Sequence, residues 1–217
     1  MTKAYIFDAF GTLFNLDIPA NQIDKLADGK GAELLQIWRT KQLEYTWLRT
    51  LMQRYQPFNE VTKEALQFAM KSVGVDHPQL TKTLLPIYEN ANAFPEVKAT
   101  LEQLKKAGHL VSILSNGTPQ MLQNGAKHAA IFDNLDLIIS VDDIKVFKPD
   151  PRVYNYALNK LNRFEDEVIF VSSNQWDVAG AAAFGLPTLW LNRKKEIPQP
   201  FLSANQPTIF SLSELFQ

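Results

Sequence analysis

Four short stretches of the chain combine residue types that could catalyse a reaction, and each comes after an apolar run. In the first, FDAFGTL (7–13), Asp8 ends the apolar run and precedes Gly11 and Thr12. A carboxylate held in apolar surroundings can act as a nucleophile and form a covalent ester. The other three stretches are SNG (115–117), KPDPRVY (148–154) and SSNQWD (172–177).

Each stretch also fits an ordinary structural role when it is taken alone. An Asp at a strand end is often a helix cap or a turn former, and SNG (115–117) is typical of a turn. Lys148 fits a solvated loop lysine, and Arg39 fits a helix surface. Asp177 fits the cap of a helix that begins at Val178, a role worth ~1 kcal/mol. A common site is favoured because five candidates occur in the right order and at the same end of one predicted sheet. They are Asp8, Arg39, SNG (115–117), Lys148 and Asp177.

The elements that would position these residues alternate between strands and helices. Short apolar, β-rich runs predict buried parallel strands at 4–10, 109–116, 135–140, 167–174 and 187–192. Helical patterns lie between them at 96–107, 121–130, 151–161 and 178–184. This alternation predicts an α/β protein with a Rossmann-like parallel sheet. Ligands bind at the carboxyl ends of such strands, which is where the polar stretches fall.

One region breaks the alternation, because residues 16–93 contain helical patterns and no convincing strand. The clearest pattern, 32–53, has apolar residues on two faces. One face carries Leu34, Trp38, Tyr45, Leu48 and Met52, and the other carries Arg39, Leu43 and Trp47. We therefore predict a catalytic core of residues 1–15 plus 94–217 and an inserted helical cap of residues 16–93.

Composition excludes several classes of function. The 217 residues include no cysteine, which excludes disulfides, thiolate metal sites and cysteine nucleophiles. The formal net charge of −1 gives no basic surface for nucleic acid. No apolar stretch is long enough to span a bilayer, and Asp8 interrupts the first apolar run, so we predict a cytoplasmic protein without a signal peptide or a membrane contact.

The order and spacing of the four stretches resemble the haloacid dehalogenase (HAD) superfamily. More narrowly, WRTKQLEYTWLR (38–49) and FGLPTLWLNR (184–193) are similar to the type II L-2-haloacid dehalogenases. The resemblance implies a HAD-like fold and hydrolytic dehalogenation of short-chain L-2-haloacids to D-2-hydroxyacids and halide. It implies no metal and no other cofactor, with a 2-haloacid as the small-molecule partner. Family members are commonly homodimers, and the two-faced helix at 32–53 is compatible with that, although it equally fits a cover between cap and core.

The residue two places after Asp8 separates the dehalogenases from the phosphatases of the superfamily. The phosphatases carry a second Asp there as a general acid, whereas this chain has Phe10. Halide is the anion of a very strong acid and leaves without a proton, so a dehalogenase needs no acid at this position. The Mg²⁺ ligands of the phosphatases are likewise replaced by Ser172 and Ser173, with only Asp177 acidic.

The resemblance implies that Asp8 attacks C2 of the haloacid, displaces halide with inversion, and is released from its ester by water. Lys148 supplies the opposite charge that keeps Asp8 ionised in a dry site. The hydroxyls of Thr12 and Ser172 donate hydrogen bonds to Asp8, and Tyr154 bonds within the Asp8–Lys148 group. Without such partners, burial of Asp8 would cost several kcal/mol.

The remaining roles concern the substrate and the hydrolytic water. Ser115, with backbone N–H groups near Asn116, is the expected cradle of the substrate carboxylate. Arg39 and Asn116 are the expected stabilisers of the departing halide. Asp177 is expected to hold and activate the water, with Asn174 orienting it.

The walls of the substrate pocket are predicted from apolar residues near these groups. The predicted set is Ala9, Phe10, Leu43, Phe58 and Trp176; for the last four, plain core packing explains each residue equally well. Two other functions remain open: a divergent Mg²⁺-dependent phosphatase and a non-catalytic scaffold of dehalogenase type.

Overall fold

The computed structural model of the protein describes residues 3–202 and 206–216, in which one parallel sheet has the strand order β3-β2-β1-β4-β5-β6. The strands are β1 Ala4–Phe7, β2 Leu110–Ser115, β3 Leu137–Ser140, β4 Val168–Ser172, β5 Thr188–Leu191 and β6 Thr208–Ile209. All neighbouring strands are parallel. The predicted α/β fold class is therefore confirmed. Each predicted strand exists but is shorter than its apolar run, and the short β6 was not predicted.

Strand β1 lies inside the sheet, with β2 on one side and β4 on the other. All four of its residues are buried, which explains why the run is apolar on both faces. The strand ends at Phe7, so Asp8 is the first residue past it. The backbone N–H of Asp8 still donates to the carbonyl of Val171 at 2.9 Å. The sheet therefore holds the backbone of Asp8 directly.

Eight α-helices occur in the described chain. They are α1 Ala20–Ile23, α2 Gly31–Leu51, α3 Phe58–Ser72, α4 Pro78–Leu84, α5 Val97–Lys106, α6 Pro119–His128, α7 Pro151–Leu161 and α8 Gln175–Phe184. Helices α1–α4 all lie between β1 and β2, and residues 16–93 add no strand to the sheet. No helix in the described ranges is both long enough and apolar enough to cross a membrane.

The helical insertion leaves and re-enters the sheet region at one place. Its two ends run antiparallel, with a bridge between Phe14 and Ala93. The N–H of Asn15 donates to the carbonyl of Asn92 at 2.8 Å, just beside this bridge. The insertion is therefore tied at its base by backbone hydrogen bonds.

Helix α2 matches the predicted extent closely, but two of the five residues predicted on its first apolar face are exposed. The buried residues follow an i, i+4 row: Leu34, Trp38, Gln42 and Thr46. Leu48 and Met52, predicted on the buried face, are exposed. An i, i+4 row is inclined to the helix axis. Because burial follows that row, the contact face drifts around the helix and turns Leu48 and Met52 outward.

Two helices begin earlier than predicted. Helix α6 starts at Pro119, because the Thr118 hydroxyl accepts the N–H of Met121 at 3.3 Å and caps it. Helix α8 starts at Gln175, so Asp177 lies within its first turn and does not cap a helix from Val178. The polar residues before Asp177 are typical of a loop, so the sequence pattern placed the start of α8 too late.

We expect the Gly180→Ala substitution in α8 to destabilise the protein. A β-carbon at Gly180 would clash with the side chain of Pro149 and lie 2.7 Å from the Tyr154 hydroxyl oxygen. We expect a free energy of unfolding lower by about 1–3 kcal/mol, measured by urea denaturation. Helix propensity alone would raise it by ~1 kcal/mol.

The sign of the change decides this prediction. Ala183→Gly, at an exposed position of the same helix, measures the propensity contribution by itself. A Gly180→Ala protein more stable than the wild type would show that α8 does not pack this closely on the loop that carries Lys148.

Candidate active site

The turn after β1 holds Asp8 at the carboxyl edge of the sheet. The backbone N–H groups of Leu13 and Phe14 both donate to the Ala9 carbonyl at 2.9 Å. Gly11 has a φ of +84°, a left-handed conformation that glycine adopts without strain, and its N–H donates to the Phe14 carbonyl at 2.8 Å. The turn is therefore closed by its own backbone, and the glycine is required by its geometry.

The two carboxylate oxygens of Asp8 have unequal surroundings. Oδ2 accepts from Asn174 Nδ2 at 2.9 Å, from Thr12 Oγ1 at 3.0 Å and from Ser172 Oγ at 3.4 Å. Oδ1 contacts Lys148 Nζ at 3.3 Å, and no other hydrogen bond to it occurs in the described part of the chain. The side chain is almost fully buried. The structure thus brings three predicted partners of Asp8, namely Lys148, Thr12 and Ser172, to its carboxylate and leaves Oδ1 the less restrained oxygen. Asn174, predicted to orient the water, is a fourth direct partner.

The Lys148 side chain is fully buried between two carboxylates. Its Nζ lies 2.8 Å from Asp177 Oδ2 and 3.3 Å from Asp8 Oδ1, and 5.0 Å from the centre of the Phe170 ring. A buried ammonium is tolerated only when it is paired and hydrogen-bonded. Its backbone N–H also donates to Asn116 Oδ1 at 3.0 Å, which ties the lysine loop to the end of β2.

Asp177 accepts hydrogen bonds on both oxygens. The Tyr154 hydroxyl donates to Oδ1 at 2.9 Å, so Tyr154 joins the Asp8–Lys148 group through Asp177 and not directly. Complete burial raises the pKa of Asp177 to about 6, although the positive charge of Lys148 opposes this shift. Burial and the negative charge of Asp177 raise the pKa of Tyr154 well above its usual value. Residues 3–202 and 206–216 contain no cluster of three or more His, Cys, Asp or Glu side chains placed to hold a metal ion.

Ser115 and Asn116 follow β2 at the same edge of the sheet. Both are buried, and Ser115 Oγ accepts the N–H of Gly117 at 3.2 Å. Asn116 Nδ2 makes no hydrogen bond within the described residues and remains available as a donor. Ser140, which the sequence analysis did not select, donates to the Gly117 carbonyl at 2.6 Å and holds this loop. The sequence signal that could have identified Ser140 is its position at the end of β3.

Above this edge lies a cavity of about 630 Å³ between the insertion and the core. Five of the predicted residues line it: Phe10, Arg39, Leu43, Asn174 and Trp176. Arg39 projects from α2, and its guanidinium donates to Asn174 Oδ1 at 3.3 Å and to Gln42 Oε1 at 2.8 Å. Arg39 is therefore connected to Asp8 through the Asn174 amide.

Four of the residues predicted to contact the substrate do not line this cavity: Ala9, Phe58, Ser115 and Asn116. Phe58 is buried behind Phe10, with parallel rings whose centres are 5.9 Å apart. Ala9 is fully buried, and its carbonyl is occupied by the turn after β1. Phe58 thus supports the wall that Phe10 forms, and Ala9 contributes to the shape of the turn.

Sequence reasoning missed three residues that touch the site. Trp47 lines the cavity and meets Trp176 edge-to-face, with ring centres 5.8 Å apart. Arg193 donates to the Thr12 carbonyl at 2.9 Å and so supports the turn that carries Asp8. Gln42 contacts Arg39. A polar residue four places after a buried tryptophan on α2 was the available signal for Gln42.

Comparison with known proteins agrees with these motifs. The model of the haloacid dehalogenase-like hydrolase family matches residues 2–185. (S)-2-haloacid dehalogenase 1 of Pseudomonas sp. (strain CBS-3) is 42% identical, over 99% of this chain and 95% of that protein. (S)-2-haloacid dehalogenase 4A of Burkholderia cepacia is 41% identical, over 99% of this chain and 93% of that protein.

Solved structures show the same likeness. The L-2-haloacid dehalogenase from Xanthobacter autotrophicus with chloropropionic acid covalently bound superposes with a TM-score of 0.90 at 33% identity. The superposition covers 99% of this chain and 97% of the other. The chain therefore belongs to the haloacid dehalogenase-like hydrolases and, within them, to the (S)-2-haloacid dehalogenases, as its motifs predict.

Proposed function

We propose that this protein hydrolyses short-chain L-2-haloacids to D-2-hydroxyacids and halide through an aspartyl ester on Asp8, without a metal ion. The observation that carries the proposal is the asymmetric setting of Asp8, with Oδ2 held by three donors and Oδ1 contacted only by Lys148 among the described residues. Relatives that align with almost the whole chain are (S)-2-haloacid dehalogenases. One related structure carries chloropropionic acid covalently bound, as an ester mechanism requires.

In the first step, Oδ1 of Asp8 attacks C2 of the substrate from the side opposite the halogen. The new C–O bond forms as the carbon–halogen bond breaks, so halide leaves with both bonding electrons and C2 is inverted. Oδ2 becomes the carbonyl oxygen of the ester, where Thr12, Asn174 and Ser172 keep it fixed. Lys148 keeps Asp8 ionised before the attack.

Two negative groups of the substrate need donors. Ser115 and the adjacent backbone N–H groups bind the substrate carboxylate. Arg39, at the cavity wall, and the available Nδ2 of Asn116 stabilise the departing halide. Fixed donors aimed at developing charge commonly contribute ~3–4 kcal/mol each.

In the second step, water attacks the carbonyl carbon of the Asp8 ester. Asp177 accepts a proton from the water and returns it to the departing C2 alkoxide, while Asn174 orients the water. The three donors to Oδ2 stabilise the oxyanion of the tetrahedral intermediate. A carboxylate with a pKa near 6 is suited to this exchange close to neutral pH.

Phe10 supports dehalogenation over phosphoryl transfer. Its ring lines the cavity, and it stands two residues after Asp8, where a phosphatase of the superfamily would need an acid. Halide requires no proton on leaving, and an apolar wall helps to exclude water before the attack. Leu43 and Trp176 form further parts of this wall, with Phe58 packed behind it.

We propose residues 16–93 as a cap over a catalytic core of residues 1–15 plus 94–217. The division is supported by the helical insertion and by the paired backbone at its base. Arg39 on α2 is the cationic contribution of the cap to the site. The cytoplasmic location stays a prediction.

We also propose a homodimer that forms through the cap. The end of α2 exposes Leu48, Leu51 and Met52, and α3 exposes Phe68 nearby. Phe68 packs edge-to-face on Tyr45, which places it beside this end of α2. Exposed apolar patches of this kind mark interaction surfaces, and a second copy of the same surface is the occupant we propose.

We expect Asp8→Asn to abolish halide release, because the amide is a poor nucleophile and no other group replaces it. The wild type should release chloride from L-2-chloropropionate and not from the D enantiomer, with no loss in excess EDTA. The variant should lose at least about a thousandfold in kcat, measured by chloride release.

Asp133→Asn, at an exposed position of the core, is the matched control and should keep full activity. Mg²⁺-dependent hydrolysis of phosphate esters by the wild type would favour the phosphatase. Unchanged activity of Asp8→Asn would exclude Asp8 as the nucleophile.

The pH dependence should reflect Asp177. Because only the ionised carboxylate accepts a proton, kcat should fall as the pH drops through about 6, the pKa of Asp177. Asp177→Asn should release about one halide per chain and then stop, because the ester forms but is not hydrolysed. Mass spectrometry of the variant's Asp8 peptide should detect the ester. Sustained turnover by Asp177→Asn would contradict the role of Asp177 in ester hydrolysis.

Leu51→Glu should convert the dimer to a monomer. Leu51 is 79% exposed, so the change costs little within one chain but places a charge in the proposed interface. Sedimentation velocity measures the result. Phe164→Glu, at a position of the core that is 75% exposed, should leave the dimer intact. Monomeric wild-type protein at micromolar concentration would reject the interface.

A further inference from the structure

Gln42 is a fully buried amide in the middle of α2. It lies on the i, i+4 row between Trp38 and Thr46, where an apolar side chain would be expected. A buried amide costs free energy unless its polar atoms are paired. The hydrogen bonds of Gln42 therefore indicate what its polarity serves.

The amide makes three hydrogen bonds. Oε1 accepts from Arg39 Nη1 at 2.8 Å and from the Tyr88 hydroxyl at 2.9 Å. Nε2 donates to Thr62 Oγ1 at 2.6 Å, and the Thr62 hydroxyl donates onward to the Phe58 carbonyl at 2.7 Å. Both lone pairs of Oε1 are used, and the side chain is fixed from two directions.

The orientation of the amide follows from the chemistry of its neighbours. Arg39 can only donate, so the atom that faces it is Oε1. The Thr62 hydroxyl already donates to the Phe58 carbonyl, so it accepts from Nε2. The network has one consistent direction, and that direction points an oxygen at the guanidinium.

Arg39 is thereby held between two amide oxygens from different parts of the chain. Gln42 Oε1 lies on the cap helix, and Asn174 Oδ1, at 3.3 Å, lies after β4. Asn174 also donates to Asp8 Oδ2 at 2.9 Å. A long arginine side chain at a cavity wall loses rotamer freedom only when such contacts hold it.

We infer that Gln42 is a positioning residue that fixes the Arg39 guanidinium where the departing halide develops its charge. The inference rests on the proposed dehalogenation and on the role proposed there for Arg39. Gln42 does not touch the substrate; it acts through Arg39, with Tyr88 and Thr62 locking its amide.

Gln42→Met and Gln42→Asn test the inference. Gln42→Met removes the oxygen that accepts from Arg39 while keeping the side chain at a similar size. Gln42→Asn keeps an amide but shortens the side chain, so that its oxygen no longer reaches Arg39. The Asn variant provides the test if the Met variant does not fold. Each should lower the single-turnover rate of chloride release by about 10- to 100-fold, the loss of one hydrogen bond to a charged group. Each should also weaken bromide binding by a similar factor, measured by quenching of the fluorescence of Trp47 and Trp176, which line the cavity with Arg39.

Two comparisons separate positioning from a structural role. Thr46→Val removes a buried hydroxyl one turn along the same row of α2, where Thr46 Oγ1 donates to the Leu43 carbonyl at 2.6 Å and not to Gln42. It should lower stability but leave chloride release and bromide affinity within about twofold of the wild type. In an Arg39→Met background, Gln42→Met should add less than about a twofold further loss, because the two residues act as one unit.

The inference is overturned if a folded Gln42 variant binds bromide and releases chloride like the wild type. It is also overturned if Thr46→Val loses as much activity as Gln42→Met, or if the loss from Gln42→Met is unchanged in the Arg39→Met background. A third outcome separates the two proposals. If the wild type binds bromide more tightly than the Gln42 variants but releases no halide from any 2-haloacid, the proposed function is rejected and the positioning role remains.

Discussion

The rest of the site depends on one interaction: the buried ammonium of Lys148 between the carboxylates of Asp8 and Asp177. Any of these three charges alone would cost several kcal/mol in this environment. Lys148 is tolerated because both carboxylates are close, and each carboxylate is tolerated because the ammonium is close. The arrangement requires the end of β1, the first turn of α8 and the loop before α7 to meet at contact distance. Tyr154 and the Phe170 ring complete the enclosure, which raises the pKa of Asp177 to the range where a carboxylate exchanges protons near neutral pH.

A second constraint joins the helical insertion to this centre. Asn174 donates to Asp8 and accepts from Arg39, so one amide touches both the buried carboxylate and the cation from α2. Gln42 holds the same cation from the other side. Phe14 and Ala93 pair at the base of the insertion. The insertion, which contains α2, is therefore tied close to the turn that carries Asp8. The position of the Arg39 guanidinium is thus set by contacts with both parts of the chain.

The sequence predicted whether each core element is a strand or a helix better than it predicted the residues at which the element begins and ends. The strands are buried runs whose apolar residues identify them, but each hydrogen-bonded strand is shorter than its run, and Asp8 lies just past the end of β1. The early start of α8 was hidden by polar residues, and it changes Asp177 from a helix cap into part of the ion group. On α2, Leu48 and Met52 were placed on the buried face because a helical wheel ignores the direction in which a neighbouring helix crosses.

The sequence by itself determined the fold class, the edge of the sheet at which the site lies, the family, and the identity of Asp8 and three of its four direct partners. These follow from local patterns, since parallel strands bring their carboxyl ends to one edge and each motif directly follows its strand or a nearby loop. Only the tertiary structure decided that Oδ1 of Asp8 is the less restrained oxygen, that Phe58 lies behind Phe10, and that Gln42 fixes Arg39. Those features depend on distances between side chains from remote segments, and packing sets such distances to a fraction of an ångström that no local pattern encodes.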